Sequence, residues 1–235
     1  MDISPQLAET ASYGGFFALT VGGDPAGWHP VARSYADGCA DLIDATARRY
    51  HTTDLRIGAS LVHLAHATRL WSPVLACAIG HGVVPDLDEL QRADDDARLR
   101  LPRPVGQPVD SHDALYRVVV EEHLQPLAAG LRVNLAPALL AGNIASALVG
   151  AARALVAARP DLHRKTTELT GSLLDTGVLA GSGVITGPQL GSGAAAAASS
   201  IGCPRVRCAV IACCTGCRDR PLGRGPRLSL PGRGT

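Results

Sequence analysis

The segment Gly202–Cys217, GCPRVRCAVIACCTGC, holds five of the chain's seven cysteines. Thiolates ligate zinc and iron–sulfur clusters, so in a cytosolic protein such a cluster points to metal before disulfides. Its spacing is C-x4-C-x4-C-C-x2-C, and of these gaps only Cys214–Cys217 has the two-residue spacing of many zinc and iron–sulfur sites. No histidine follows Cys217. Upstream, His63 and His66 are three apart. On one helix that spacing supplies two metal ligands or, more plainly, one partly buried and one surface histidine. Glu121-Glu122-His123 offers carboxylates and an imidazole, but neighbouring helical residues point in different directions, which favours a solvated helix face. Asp94-Asp95-Asp96 reads as a solvated turn. Gly181-Ser182-Gly183 lacks the Lys-Ser/Thr ending of a phosphate loop and the spacing of a dinucleotide fingerprint, so it reads as linker. Cys39 and Cys77 stand alone in helical patterns and read as buried thiols.

The elements that must position these residues are mostly helices. The chain has 235 residues, enough for one substantial domain. Apolar residues make up 46% but aromatic ones only 3%, so the core is built from Ala, Leu and Val, a mix that favours packed helices over sheets. Asp54 caps a helix running to about Arg69, with Leu55, Ala59, Val62 and His66 on one stripe. Ser72-Pro73 opens another helix, which closes near Gly80-His81-Gly82. ARLRLP, Ala97–Pro102, alternates as a short strand, and the prolines at 102, 104 and 108 mark a loop. Ser111 caps a helix with Leu115, Val118, Val119 and Glu122 along one side. Pro137–Ala158 is the most apolar helix, read as buried rather than membrane-spanning, and Asp161–Asp175 is a last, polar one. From Thr176 the chain turns Gly-, Pro- and Arg-rich, with one acid, Asp219, against seven arginines. The expected organisation is a mainly α domain over 1–180, with a short β element near 97–102, followed by a linker and irregular tail over 181–235. Net charge is +1, which gives no field for nucleic acid, and no signal peptide is evident at the N-terminus, so a cytosolic protein is expected.

Three stretches carry a resemblance: RIGASLVHLAHATRLWSPVLACAIGHGVVPDL (Arg56–Leu87), LLAGNIASALVGAARAL (Leu139–Leu155) and TGVLAGSGVITG (Thr176–Gly187). Together they are similar to the actinobacterial branch of the FhuF-type ferric-siderophore reductases. The resemblance extends to about Gly193 and implies a cytosolic oxidoreductase of iron acquisition. In that family a C-terminal [2Fe–2S] cluster passes one electron to chelated Fe(III), and the third stretch leads into an Arg-rich C-C-x10-C-x2-C segment. This chain departs from the family there. A one-base shift of frame before Ala194 accounts for the departure, because each GCN alanine codon then reads NGC, which includes cysteine. The family's cluster slots fall at Ala197, Ala198, Ala209 and Ala212, where ten residues separate the second slot from the third and two separate the third from the fourth.

The resemblance implies a ferric siderophore as partner and an electron donor that it does not name. In the chain as it stands the cluster is expected to be missing. His63, His66 and Arg69 are candidate siderophore contacts, since a cationic groove attracts an anionic chelate. Two other readings stay open. One is a zinc-binding or regulatory module using Cys208, Cys213, Cys214 and Cys217. The other is a non-catalytic siderophore-binding helical protein.

Overall fold

A computed structural model describes residues 1–182 of the chain. The cysteine cluster of 203–217, the four alanine slots and most of the expected tail lie outside the described residues.

The architecture is mainly α. Helix α1 (Ser4–Ala11) is followed by the short strands β1 (Thr20–Val21) and β2 (Trp28–Pro30). Helices α2 (Val31–Ala36), α3 (Ala40–Arg49) and α4 (Leu55–His81) follow. Four strands come next: β3 (Val83–Pro85), β4 (Gln91–Ala93), β5 (Leu99–Leu101) and β6 (Gly106–Pro108). The chain then returns to helix through α5 (His112–Tyr116), a π-helical stretch (Arg117–Leu124), α6 (Gln125–Gly130), α7 (Pro137–Ala158) and α8 (His163–Leu174). The long helices α4 and α7 pack along one another and form the centre of the core. Leu70, Trp71, Leu75, Leu148 and Leu155 are all fully or almost fully buried there.

The N-terminus of α4 forms as its cap predicts. Asp54 accepts the Arg56 backbone N–H at 3.0 Å, and Gly82, at φ 67°, ends the helix in the left-handed conformation that glycine tolerates best. Replacing Asp54 by Ala is expected to destabilise the fold by about 1 kcal/mol. Urea unfolding checks this, and an unchanged midpoint would mean that water caps the helix as well as the carboxylate does.

Pro73 does not open a new helix, because α4 runs through it for 27 residues. A proline inside a helix loses one ladder bond and costs about 3 kcal/mol. The surrounding residues offset this, since every residue from Leu70 to Ile79 is buried and each large apolar side chain contributes about 1.5–3 kcal/mol. Ser72 meanwhile turns its hydroxyl back to the Thr68 carbonyl at 2.8 Å instead of capping.

The strand expected near 97–102 is β5. It belongs to a four-stranded sheet ordered β1-β5-β4-β2, with β1 parallel to β5 and the other pairs antiparallel. Strands β3 and β6 form a separate antiparallel pair. With two or three residues each, these strands are too short to show a period in the sequence. Ser111 caps α5 as expected, accepting the Ala114 N–H at 3.3 Å. Past Tyr116 the helix widens into the π-helical stretch and returns to α at Gln125-Pro126, where proline has no amide hydrogen to give. Leu115, Val118 and Val119 are buried on this segment, whereas Glu122 is exposed. The polar helix expected over 161–175 is α8, preceded by a single 3₁₀ turn at Pro160–Leu162.

Helix α7 is long and apolar enough to cross a membrane, and half of its most apolar window is buried inside the fold.

Candidate functional site

Helix α2 is short, but two adjacent side chains on it organise the polar chemistry of the molecule. Tyr35 points inward and Ser34 lines an open cleft.

The phenol oxygen of Tyr35 lies 2.7 Å from His66 Nε2 on α4 and 3.1 Å from His123 Nδ1 on the π-helical stretch. All three groups are buried. A hydroxyl both donates and accepts, so Tyr35 bonds the two rings at once, donating to one and accepting from the other. Burial holds His66 down to about 3, with the neighbouring His123 adding to the effect, and burial holds His123 down to about 4. It also raises the Tyr35 phenol well above its ordinary value. At neutral pH this is an uncharged, buried network.

His63 is fully buried, neither ring nitrogen has a partner, and burial lowers it to about 4. The sequence reading of one partly buried and one surface histidine is thus corrected: both are inside, because α4 is covered on several sides. The reading of Glu121-Glu122-His123 as a solvated face is corrected in part. The two glutamates are exposed, whereas His123 is 5% exposed. The wide π turn decides which of these neighbours faces the core. Arg69, one turn beyond His66, sets its guanidinium over the Phe16 ring at 5.2 Å and donates to the Ala65 carbonyl at 3.3 Å. None of His63, His66 and Arg69 lines the cleft.

The cleft encloses about 580 Å³ between α2, the start of α3, the β2–β4 edge and Arg132. Its charges come from Arg33, Arg92 and Arg132 and from Asp37, Asp41 and Asp94. Arg92, on β4, is 5% exposed and forms the floor. Its Nε donates to Ser34 Oγ at 2.9 Å, and its terminal nitrogen donates to Asp41 at 2.8 Å. Arg132 stands 3.9 Å from Asp37. Asp94 accepts from His29 Nδ1 at 2.6 Å, so the expected solvated turn at 94–96 also anchors a histidine. Arg33 forms no ion pair among the described residues, which leaves its exposed guanidinium for an incoming anion. The sequence reading missed His29, Ser34 and Arg92. They lie up to 63 positions apart, and no local spacing signals them.

Cys39 and Cys77 are buried thiols, as expected, and burial pushes them up to about 11 and about 12, which keeps them unreactive. Among the described residues no group of three or more His, Cys, Asp or Glu is placed to hold a metal ion. In comparisons with protein-family models, with curated proteins and with solved structures, nothing matches the chain.

Proposed function

We propose that the chain is a ferric-siderophore-binding protein of the FhuF-type reductase family and that in its present form it binds the ferric chelate without reducing it. One observation carries this reading. The three stretches that resemble the family pack together in the fold. Arg56–Leu87 forms α4, β3 and the turn after it, Leu139–Leu155 forms most of α7, and α4 packs along α7. The third stretch opens with a 3₁₀ turn, Gly177–Leu179, that sits on α7 with Leu179 fully buried. Segments that share a core in this way are expected to keep their order and spacing within a family.

The cleft supplies a place for the chelate. Its volume lies within the about 300–1,000 Å³ usual for small-molecule sites. Arg33 at its rim attracts an anionic chelate, and Arg92 is fixed in place at its base. In the family a [2Fe–2S] cluster supplies the electron that converts Fe(III) to the softer Fe(II), which hard siderophore oxygens hold less tightly. Alanine has no ligating atom, so Ala197, Ala198, Ala209 and Ala212 do not fit that cluster, and no reductive step is assigned to this chain.

The test is equilibrium dialysis of the full chain against an anionic tris-catecholate chelate of radiolabelled Fe(III). Saturable binding is expected with Kd on the order of 1–10 μM, weakened about tenfold by Arg33→Gln, which corresponds to about 1.4 kcal/mol. Anaerobic reconstitution with iron and sulfide is expected to leave the protein without a stoichiometric cluster. No saturable binding would sink the reading. Stoichiometric zinc released on modification of Cys208, Cys213, Cys214 and Cys217 would replace it with the zinc-module reading.

A further inference from the structure

We propose that Ser34 is an activated nucleophile, with His29 as its general base and Asp94 positioning that base, and that the cleft transfers acyl groups from esters carrying a carboxylate. The geometry rests on three groups brought together from β2, α2 and the turn after β4. Asp94 Oδ1 is 2.6 Å from His29 Nδ1, and His29 Nε2 is 2.8 Å from Ser34 Oγ. A nucleophile bonded to a base that is itself held by a third group is the arrangement that hydroxyl nucleophiles need, whatever the order of the residues in the chain.

The hydrogen-bond directions follow from the donors. A carboxylate only accepts, so His29 Nδ1 carries a proton. The Arg92 terminal nitrogen, 3.4 Å from Nε2, can only donate, so Nε2 is the bare nitrogen and accepts from the Ser34 hydroxyl. The Ser34 O–H is aimed at it. Arg92 Nε donates to the same Ser34 oxygen at 2.9 Å, so a fixed positive charge stabilises the oxygen as its proton leaves. A purely structural serine bound to Arg92 would not require a histidine–aspartate pair behind it. Ser34 is 4% exposed but lines the cleft, so a reagent reaches it from the open side.

The step balances without a redox partner. Ser34 Oγ attacks the acyl carbon of the ester and its proton passes to His29 Nε2. The bond from the acyl carbon to the leaving oxygen breaks, and that oxygen takes the proton from His29 as the alcohol departs. Water then attacks the acyl-serine, giving its proton to His29, and the acid is released as Oγ recovers a proton. The substrate class follows from the walls: Arg33 and Arg132 favour an ester whose non-reacting end is a carboxylate. This assignment does not depend on the chelate reading, because it is read without any iron.

The test treats the full chain with a biotinylated fluorophosphonate and identifies the labelled peptide by mass spectrometry. Labelling is expected at Ser34. It is expected to slow about 10²-fold in His29→Gln and to slow strongly in Asp94→Asn, which keeps the shape of the side chain but favours the wrong imidazole tautomer. Because Asp94 is exposed, that variant is expected to melt at the temperature of the parent protein. In parallel, 4-acetoxybenzoate is expected to be hydrolysed about tenfold faster than its neutral methyl ester, after correction for reaction with hydroxide alone. Labelling of the unsubstituted protein needs no variant to fold, so its absence overturns the proposal outright. Labelling confined to another residue, or a rate unchanged in His29→Gln, overturns it as well.

Discussion

Between about pH 7 and pH 5 the fold is expected to lose several kcal/mol of stability, because three histidines are buried neutral. His63 and His123 are held to about 4 and His66 to about 3, chiefly by burial. In the unfolded chain each recovers an ordinary value of about 6.5. Below that value the unfolded state binds protons that the folded state refuses, so stability falls as the pH falls, and the loss continues down to the folded values. Each histidine contributes a slope approaching about 1.4 kcal/mol per pH unit in that window. A domain stability of about 5–15 kcal/mol makes three such groups decisive. Urea midpoints at pH 7 and pH 5 measure the effect. His63→Leu isolates one group. Neither ring nitrogen of His63 has a partner, so the substitution sacrifices no hydrogen bond and is expected to flatten the pH dependence by about a third. Equal midpoints at the two pH values would mean that these rings are hydrated or already charged.

Gly130→Ala is expected to destabilise the protein by about 3 kcal/mol or more. A Cβ on Gly130, at the end of α6, would run into the backbone carbonyl of Tyr35, and carbonyl oxygens of a packed helix cannot rotate away. Helix α2 would have to move, taking Ser34 away from His29 and Tyr35 away from its two histidines. The control is Gly142→Ala on α7, where a Cβ meets nothing within 4 Å. There the helix propensity of alanine is expected to add about 0.5–1 kcal/mol. Chemical denaturation of both variants gives the comparison, and a Gly130→Ala protein as stable as the parent would mean that the two helices do not approach as closely as described.

The sequence made the local punctuation legible and left the long-range polar geometry hidden. Asp54, Ser111, Gly82 and Pro137 act within one turn of themselves, so each could be read without knowing what lies across the molecule. Pro73 was misread because the burial that outweighs it comes from other elements packed around α4. The same limit applies to His123, whose direction depends on a π turn with no marker in the residue types. The cleft was the least legible feature. His29 and Asp94 are 65 positions apart, and the segment that brings them together is the β2–β4 pairing, with three residues on each side. A pairing that short leaves no alternation to detect.

The widened stretch Arg117–Leu124 has a consequence for how this chain tolerates insertions and deletions. A π turn takes up an extra residue within about one turn, so the α-helical segments on either side keep nearly the faces they would have without it. Deleting one residue there would let the segment close into an unbroken α-helix with Gly130 still on the side that faces the Tyr35 carbonyl. The same deletion inside α7 would turn every later residue of that helix by about 100° about its axis. The wide turn is thus a place where the loss of one codon would leave the packing beyond it in register.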